Sequence, residues 1–460
     1  MIRLSYGRIL QEGLDGRRGI TRPQLTELAR QFRGVHAEVM ERRKAGEYGF
    51  LSLGNQASLV REIRTWADAQ QGRFDDLLVL GIGGSALGTR TLLSALAEPA
   101  WNELTPEQRG FRPRLTILEN VDPRTVAAAL RRMDPARTLV NVVSKSGGTA
   151  ETAAQYLVVR DWLNRAVGTA AAPQHLVFTT DPEQGALRQL ARTESITAFP
   201  IPSDVGGRFS VLTSVGLVPA ALVGIDIEGL IAGAASAVAQ AESDDLLTNP
   251  AGCYAALLHA ADVEHGAHIH VLMPYVDRLR DLGAWFVQLW AESLGKRESR
   301  GGQVVHRGPT PLAAVGATDQ HSQVQLFMEG PFNKVVTFVM PDDLGDDVTI
   351  PTLDGLTSDF DYLPGHTLGE LLRAECEATS AALSHQGRMN AMLRLPDVSA
   401  QSVGALLMFL QIATGYAGVW YGVNPFNQPG VELGKTLTFA AMGRPGYTAP
   451  PKGGVEATVG

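Results

Sequence analysis

The sequence predicts an α/β protein built from two doubly wound parallel sheets, each covered by helices on both faces. Uninterrupted apolar strands alternate with helix-patterned segments, once in residues 77–203 and again from residue 268. Strands buried on both faces lose the polar alternation of antiparallel sheets, and parallel strands need a crossover of helical length. A chain of 460 residues is also too long for one ordinary core. We therefore expect two three-layer αβα domains, with extra helices at the N- and C-terminal ends.

Four segments of the chain are expected on this basis. Residues 1–50 alternate charged and apolar positions, which suits peripheral helices, and residues 51–230 would form the first domain. Residues 231–425 would form the second domain, and residues 426–460 would form a C-terminal segment. The polar stretch QAESDDLLTNP follows an apolar helix and marks a linker between the two halves.

The first domain is expected to hold five strands, each an apolar run that ends in a turn. They are LLVLGIGG (77–84), LTILEN (115–120), TLVNVVSKSGG (138–148), HLVFTTD (175–181) and ITAFPIPS (196–203). Segments between them, such as ALGTRTLLSALA, are long enough for helices. The second set begins with HIHVLMPY (268–275) and KVVTFVMPDD (334–343), with helical segments between and after them.

Composition and charge exclude several classes of protein. The chain is 45% hydrophobic and 19% charged, which is typical of a soluble globular protein. Its net charge is −8 and it has no basic run, so we expect no nucleic-acid partner. Cys253 and Cys376 stand far apart in neither a metal nor a redox spacing, which suits a reduced compartment.

Neither of two candidate targeting segments has the expected pattern, so we expect a cytoplasmic protein. The amino-terminal stretch MIRLSYGRILQEG carries charge inside every short apolar run, so it does not read as a signal peptide. Residues 403–423 form an uncharged apolar run long enough to cross a membrane, but it contains four glycines, a glutamine and a threonine. We interpret this run as a buried helix of a large core, and we expect no membrane partner.

The stretch SKSGGTAET (144–152) joins a strand to a helix and is rich in hydroxyl groups. Such a loop lies at the carboxyl end of a parallel strand, where ligands bind and free helix amides favour an anion. Its two glycines let the backbone turn amides inward, and Ser144, Ser146 and Thr149 can donate hydrogens to phosphate oxygens. The alternative is an ordinary helix cap, which uses one hydroxyl where this loop offers three. The loop lacks the Walker order of residues, and we interpret it as a cradle for a single phosphate group.

The loop GIGGSALG (81–88) follows an earlier strand and should open at the same edge of the sheet. Its glycines and Ala86 match the tolerant form of the dinucleotide fingerprint, which makes a nicotinamide-dependent enzyme one interpretation. That fingerprint needs an acid roughly 20 positions further on, at the end of the next strand. The first acid in such a place is Glu119, well beyond that spacing. The glycines serve equally well to bring the backbone close to a sugar phosphate, with Ser85 as a further donor.

Two further motifs carry charged groups that could take part in catalysis. In DVGGRFS (204–210), Arg208 follows two glycines at a strand-to-helix turn. Beside a phosphate or an enediolate, its permanently charged guanidinium would donate two parallel hydrogen bonds to the anion. In LWAESLGK (289–296), Glu292 and Lys296 are four residues apart, which alone predicts only an ordinary helical salt bridge.

Three other stretches are less specific. EHGAHIH (264–270) has the histidine density of a metal site but no partner at a recognised ligand spacing, so we expect no metal. His321 stands beside Asp319 in a loop-like stretch, where most histidines are merely on the surface. The loop NPFNQPGVELGK (424–435) ends at Lys435, and nothing in it is diagnostic by itself.

Taken together, six motifs resemble those of the glucose-6-phosphate isomerase family, in the family's order, over roughly residues 75–440. They are GIGGSALG, SKSGGTAET, VGGRFSVLTSVGL, ESLGK, TDQHSQ and NQPGVELGK. The resemblance implies two sugar isomerase (SIS) domains, a homodimer with shared active sites, and no cofactor. It implies interconversion of D-glucose 6-phosphate and D-fructose 6-phosphate in glycolysis and gluconeogenesis, by ring opening and a cis-enediolate. An isomerase of another phosphosugar, or a sensor that binds sugar phosphates without catalysis, stays open as an alternative.

The resemblance assigns substrate binding to seven residues. They are Gly84, Ser85, Ser144, Lys145, Ser146, Thr149 and Gln428. The loop 144–149 would bind the phosphate group, and residues 84–85 would contact the sugar.

The resemblance assigns the chemistry to four further residues. Arg208 would lie near the enediolate oxygens. His321, with help from Lys435, would open the sugar ring, and in the family this histidine reaches in from the partner subunit. Glu292 would be the base that moves the proton, because it matches the ESxGK pattern of the family's short bacterial branch.

The base has two alternatives. In the long branch of the family it lies just before the histidine, and the corresponding stretch LAAVGATDQH has no acid. An insertion, RESRGGQVVHRGP, also separates Glu292 from the histidine motif. Glu298 and Glu329 therefore stay open as substitutes.

Overall fold

A computed structural model describes residues 1–16, 18–355 and 357–448. Its strands are β1 (Arg3–Ser5), β2 (Asp76–Leu80), β3 (Arg114–Leu118), β4 (Thr138–Ser144), β5 (Leu176–Thr180), β6 (Thr197–Pro200), β7 (Ile269–Pro274), β8 (Lys296–Glu298), β9 (Val304–Arg307), β10 (Thr310–Ala313), β11 (Lys334–Pro341) and β12 (Asn390–Leu395). Its helices are α1 (Arg22–Lys44), α2 (Ala57–Asp68), α3 (Leu87–Leu96), α4 (Pro123–Arg132), α5 (Ala150–Val167), α6 (Ala186–Thr193), α7 (Ser214–Leu222), α8 (Ile227–Gln240), α9 (Pro250–Val263), α10 (Arg280–Leu294), α11 (Val324–Glu329), α12 (Leu368–His385), α13 (Ala400–Trp420) and α14 (Glu432–Ala441). Of the expected C-terminal segment, residues 449–460 lie outside the described residues.

The first sheet has the order β3-β2-β4-β5-β6, and every neighbouring pair is parallel. All five strands predicted for this half of the chain are present. Leu77 and Val79 of β2 face one hydrophobic core, whereas Leu78 and Leu80 face another. Because side chains alternate along a strand, a sheet covered on both faces needs apolar residues at every position. The predicted α/β class is therefore confirmed.

The strand order creates a crevice between β2 and β4. The chain leaves β2 for β3 on one side, then returns across β2 to enter β4 on the other. Loops that leave neighbouring parallel strands in opposite directions diverge, and ligands bind at this switch point. Residues 81–85 leave the end of β2 and residues 145–149 leave the end of β4, so both predicted loops flank one crevice.

The second sheet has the order β1-β12-β11-β7-β10. Strands β7 and β11 were predicted, and both pair in parallel with each other. The prediction missed β12, which an asparagine and an arginine interrupt, and β10, which is four residues long and contains a proline. It also missed the antiparallel hairpin of β8 and β9, where most side chains are exposed.

The amino-terminal segment needs a correction. We predicted peripheral helices for residues 1–50, and α1 is such a helix, capped by Thr21. However, β1 pairs antiparallel with β12 and so becomes an edge strand of the second sheet. A strand of three residues is too short for its side-chain period to appear in the sequence.

Helix α13 is the apolar run of membrane length. Ala400–Trp420 passes the length and hydropathy test for a membrane span, but 94% of its most apolar window is buried inside the protein. It belongs to the core that also contains one face of each sheet. The prediction of a buried core helix is therefore confirmed.

Two glycines allow α13 to pack against α8. A Cβ atom added at Gly404 would lie 2.0 Å from the carbonyl oxygen of Leu230, and one added at Gly233 would lie 1.9 Å from that of Gln401. Real Cβ atoms do not approach a carbonyl oxygen so closely. Backbone contact between the two helices therefore requires glycine at both positions.

We predict that Gly404→Ala destabilises the protein by about 2 kcal/mol or more, because the added methyl group overpacks a backbone contact. The control is Gly34→Ala in α1, an exposed position with no atom near the added Cβ. There the better helix propensity of alanine should stabilise by up to about 1 kcal/mol. The thermal unfolding midpoints of the two variants should move in opposite directions. Equal midpoints would contradict the close packing of α8 and α13.

Candidate active site

The loop after β4 is folded tightly around Ser144. The buried Oγ of Ser144 accepts a hydrogen bond from the amide of Gly147 at 3.1 Å and lies 3.3 Å from Oγ1 of Thr149. Gly147 has a φ of +65°, and a Cβ atom there would lie 2.9 Å from the amide nitrogen of Ala186. Only glycine fits this turn, because the left-handed backbone and the close neighbour both exclude a side chain. The predicted hydroxyls are therefore held together at the carboxyl end of the central strand.

Helix capping does not account for Thr149. This residue is the N-cap of the 18-residue helix α5, but its side chain caps no amide. Ser146 is exposed, and its Oγ accepts a hydrogen bond from the amide of Gly148 at 3.2 Å. The hydroxyls of Ser146 and Thr149 thus lie just before α5, beside the positive end of its dipole, which favours an anion.

Lys145 holds the loop from behind. Its Nζ donates hydrogen bonds to the carbonyl oxygens of Ser203 at 2.8 Å and Val205 at 2.9 Å. Burial lowers the pKa of this lysine. Its side chain therefore ties the loop 144–149 to the segment that leads to Arg208, rather than reaching into the loop itself.

Arg208 is the most buried charged group of the crevice, with 3% of its surface exposed. Its Nε donates to Oγ of Ser293 at 2.8 Å, and Nη1 donates to Oε1 of Gln428 at 3.2 Å. Nη2 donates to the carbonyl oxygens of Asn427 at 3.1 Å and Pro425. Burial lowers the pKa of the guanidinium, and an arginine remains charged even so.

The carboxylate partner of Arg208 is Glu292, near the end of α10. Oε1 of Glu292 lies 3.2 Å from Nη1 of Arg208, and Oε2 accepts a hydrogen bond from Nε2 of Gln288 at 3.1 Å. The side chain of Glu292 is 28% exposed, so the carboxylate is oriented on one side and open on the other. A carboxylate held in this way can act as a base on a bound molecule.

The salt bridge that the spacing predicts between Glu292 and Lys296 does not form. Nζ of Lys296 instead donates to the carbonyl oxygens of Glu292 at 2.6 Å and Ser293 at 2.8 Å. These bonds close the carboxyl end of α10, which leaves the carboxylate to Arg208. Burial, and then the charge of Arg208, lowers the pKa of Lys296 to about 8.

The glycine loop after β2 packs against the turn that carries Arg208. A Cβ atom at Gly84 would lie 2.3 Å from the carbonyl oxygen of Gly207, so only a glycine permits this contact. Gly83 has a φ of +57°, and a Cβ there would lie 3.1 Å from Nε2 of Gln288. The hydroxyl of Ser85 makes no hydrogen bond within the described part of the chain. Residues 83–85 therefore form the wall of the crevice next to Arg208.

The acid needed for dinucleotide binding is already engaged. Glu119, at the end of β3, forms an ion pair with Nη1 of Arg90 from α3. Nε of Arg90 lies 3.2 Å from the carboxylate of Asp281. The ion pair of Glu119 with Arg90 joins the end of β3 to α3.

His321 and Lys435 lie outside this group of residues. His321 ends an exposed 3₁₀ turn and makes no hydrogen bond or ion pair with the described residues, while Asp319 bonds to Ser322 and to the amide of Val315. Lys435 lies on α14, where none of the residues is buried, and its Nζ pairs with Glu432 at 2.8 Å. One chain therefore assembles Gly84, Arg208, Glu292 and Gln428, but neither of the two residues expected to open the ring.

Neither alternative base contacts Arg208. Glu298 is exposed on β8 and lines a cleft of about 590 Å³ beside Asn427. Glu329 is exposed at the end of α11 and accepts a hydrogen bond from Gln325 at 2.8 Å. Among the three candidate acids, the geometry favours Glu292.

Sequence reasoning missed two residues that shape this site, Gln288 and Ser293. Gln288 stands four residues before Glu292, so both lie on one face of α10, and that spacing could have found it. The contact between Ser293 and Arg208 joins residues 85 positions apart, and no local pattern predicts it.

The histidine-rich stretch is used for packing in the described structure. His270 is buried, and its Nδ1 accepts a hydrogen bond from Nε1 of Trp290 at 3.0 Å. His268 pairs with Asp262. Within residues 1–16, 18–355 and 357–448, no group of three or more histidine, cysteine, aspartate or glutamate side chains is arranged to hold a metal ion.

Comparisons with known proteins find relatives over most of the chain. A family model described as Phosphoglucose isomerase matches residues 55–444. "Glucose-6-phosphate isomerase" of Rubrobacter xylanophilus is 45% identical over 94% of this chain and 96% of the relative, and the protein of that name from Carboxydothermus hydrogenoformans is 43% identical over 91% and 89%. The crystal structure of a hypothetical protein from Thermus thermophilus matches with a TM-score of 0.84 at 38% identity, over 96% of this chain and 100% of that one. A glucose-6-phosphate isomerase from Chlamydia trachomatis shares the fold, with a TM-score of 0.79 at 23% identity over 96% and 88% of the chains.

We predict that the side chain of Lys296 titrates near pH 8, because burial and Arg208 disfavour its charged form. Carbon-13 NMR of protein labelled at lysine Cε should show this midpoint, with Lys296→Arg identifying the resonance. In Glu292→Gln the midpoint should fall further, since the carboxylate that favours the ammonium is lost. A midpoint near the ordinary lysine value of about 10.4 would contradict the buried arrangement.

Proposed function

The chain belongs to the phosphoglucose isomerase family, and we propose that the crevice around Arg208 and Glu292 interconverts D-glucose 6-phosphate and D-fructose 6-phosphate. The observation that supports this most strongly is the contact between Arg208 and Glu292 at 3.2 Å. In this contact the carboxylate that we propose as the base lies against a fixed cation, and 28% of its side chain stays exposed. The two groups that an enediolate mechanism needs are thus next to each other.

The phosphate group of the substrate binds in the loop 144–149. The hydroxyls of Ser144, Ser146 and Thr149 and the first amides of α5 donate to its oxygens. The phosphate takes no part in the chemistry. Binding of the phosphate holds the sugar carbons against the base, so the binding energy of a group that does not react orients the atoms that do.

Glu292 moves the proton between the first two carbons of the open-chain sugar. Its carboxylate removes the proton from the second carbon, and the electron pair of that bond forms the carbon–carbon double bond of a cis-enediolate. Arg208 stabilises the negative charge that develops on the oxygens, and it does so without titrating. Glu292 then returns the proton to the first carbon, while the hydroxyl proton on the oxygen of the second carbon moves to the oxygen of the first carbon, which leaves the ketose. One of the two carbons is oxidised and the other is reduced within the same molecule, so the reaction needs no external oxidant or reductant.

Ring opening is assigned to His321, with help from Lys435. Both side chains are exposed in a single chain, and His321 has no partner among the described residues. We therefore propose a homodimer in which His321 of each chain completes the crevice of the other. The exposed helix α14, which has no buried residue, carries Lys435 beside the Gln428 segment.

We propose the cytoplasm as the location of this enzyme. Cys253 and Cys376 are both free and buried, which suits a reducing compartment. The reaction consumes and delivers phosphorylated sugars of glycolysis and gluconeogenesis.

We predict that Glu292→Gln lowers kcat by about 10²–10⁴-fold while KM stays within a few-fold, because the base is lost and the phosphate loop is intact. Glutamine keeps an oxygen that can accept from Arg208, so the buried cation remains partnered. The measurement is a coupled assay with fructose 6-phosphate, run without added cofactor. Glu298→Gln and Glu329→Gln are the matched controls and should retain near-normal turnover. A normal kcat for Glu292→Gln would move the role of base to another acid.

We predict that one chain supplies Glu292 and its partner supplies His321 to each site. A mixed dimer of Glu292→Gln and His321→Ala chains, isolated with two different affinity tags, should then contain one intact site and show about half of the wild-type activity. If both residues of a site came from the same chain, neither site of the mixed dimer would be intact. Activity no higher than that of the two parent variants would overturn the shared site.

A further inference from the structure

A small cationic pocket lies at the amino-terminal edge of the second sheet. Lys334 is the first residue of β11, and Arg388 lies two residues before β12. Together with Arg18 and Phe332 they line a pocket of about 30 Å³. The catalytic crevice opens at the carboxyl end of the first sheet, so this pocket is a separate feature of the protein.

The aromatic ring of Phe332 holds two arginines in place. Cζ of Arg18 lies 3.8 Å from the ring centroid, and Cζ of Arg388 lies 3.6 Å from it. Two guanidinium groups at these distances cannot share one face of the ring, so the ring lies between them. Stacking fixes both groups through cation–π contact and leaves their N–H edges directed outward.

Arg388 is built into the protein yet is not fully partnered. It is 8% exposed, and its Nη2 donates to the carbonyl oxygen of Met328 at 2.6 Å. Its Nε is buried and has no hydrogen-bond partner, and Nη1 makes no hydrogen bond to the described residues. A buried donor without an acceptor is costly, which points to an acceptor that the chain does not supply.

No carboxylate neutralises the pocket within the described ranges of the chain. None lies within ion-pair distance of Arg18, Lys334 or Arg388. Burial lowers the pKa of Lys334 and of Arg388, and in each case a neighbouring arginine lowers it further. Three uncompensated cations in a chain of net charge −8 create a local positive field.

The acids that adjoin the pocket are already occupied. Asp15, whose carbonyl oxygen lies against Gly387, pairs its carboxylate with Nδ1 of His385 at 2.8 Å. Glu264 accepts a hydrogen bond from Nε2 of Gln24 at 2.6 Å. Neither carboxylate is directed to the three cations.

We propose that Arg18, Lys334 and Arg388 bind the phosphate group of a small ligand at this second site. Arginine presents parallel N–H groups that match two oxygens of a phosphate, and the lysine adds a point charge. A pocket of about 30 Å³ suits one terminal oxyanion group. Inorganic phosphate and a phosphate ester offer the same group.

The test is equilibrium dialysis with radiolabelled inorganic phosphate in a Ser146→Ala/Thr149→Ala background, which weakens binding at the catalytic loop. We expect one phosphate to remain bound per chain. Adding Arg18→Met, at an exposed position, should weaken that binding about 10-fold or more. Adding Arg61→Met, at an exposed position on α2, is the matched control and should leave the binding unchanged.

Two results would overturn the proposal. One is an absence of phosphate binding in the Ser146→Ala/Thr149→Ala background. A second copy of the chain that filled the pocket would give this same result. The other is equal phosphate affinity with and without Arg18→Met. Competition then identifies the source of the phosphate group. If glycerol 3-phosphate displaces the label at a lower concentration than unlabelled phosphate does, the ligand is a phosphate ester. If unlabelled phosphate displaces it at the lower concentration, the ligand is the inorganic ion.

Discussion

The site depends on one buried cation. The guanidinium of Arg208 is almost fully removed from water, and a buried charge is tolerated only when opposite charge and hydrogen-bond acceptors surround it. Its acceptors come from α10 and from residues 425–428, which are distant in sequence. Satisfying this one group therefore joins the end of the first sheet, α10 and the segment after α13. Glu292 completes the set, so the carboxylate that we propose as the base is positioned by the same requirement.

The sheet supplies the other half of the arrangement. Because the strand order reverses between the parallel neighbours β2 and β4, two loops part at the centre of the sheet and leave room for a ligand. Lys145 then connects the loop 144–149 to the carbonyl oxygens at 203 and 205, a few residues before Arg208. This loop and the segment that places the cation are thus parts of one connected structure.

Much of this could be predicted from the sequence, and the limits have physical causes. Strands of the first sheet are apolar at every position and were found, whereas β1 and β10 are too short to show a period and β12 is interrupted by polar residues. Arg208 follows a glycine turn with a local signature, whereas Glu292 was assigned only by its resemblance to the ESxGK pattern. The partner of Lys296 could not be predicted, because the (i, i+4) rule describes an isolated helix and a buried arginine from another segment competes for the carboxylate. The placement of His321 stays a prediction, since it concerns a contact between two chains.

The contact of Gly84 with Gly207 has a consequence for how Arg208 is placed. Two walls of the crevice meet backbone to backbone, so their separation does not depend on a side-chain rotamer. A side chain at position 84 would push against the turn that begins at Gly207 and would shift the backbone of the next residue, Arg208. The position of the guanidinium is therefore coupled to a residue that has no side chain of its own.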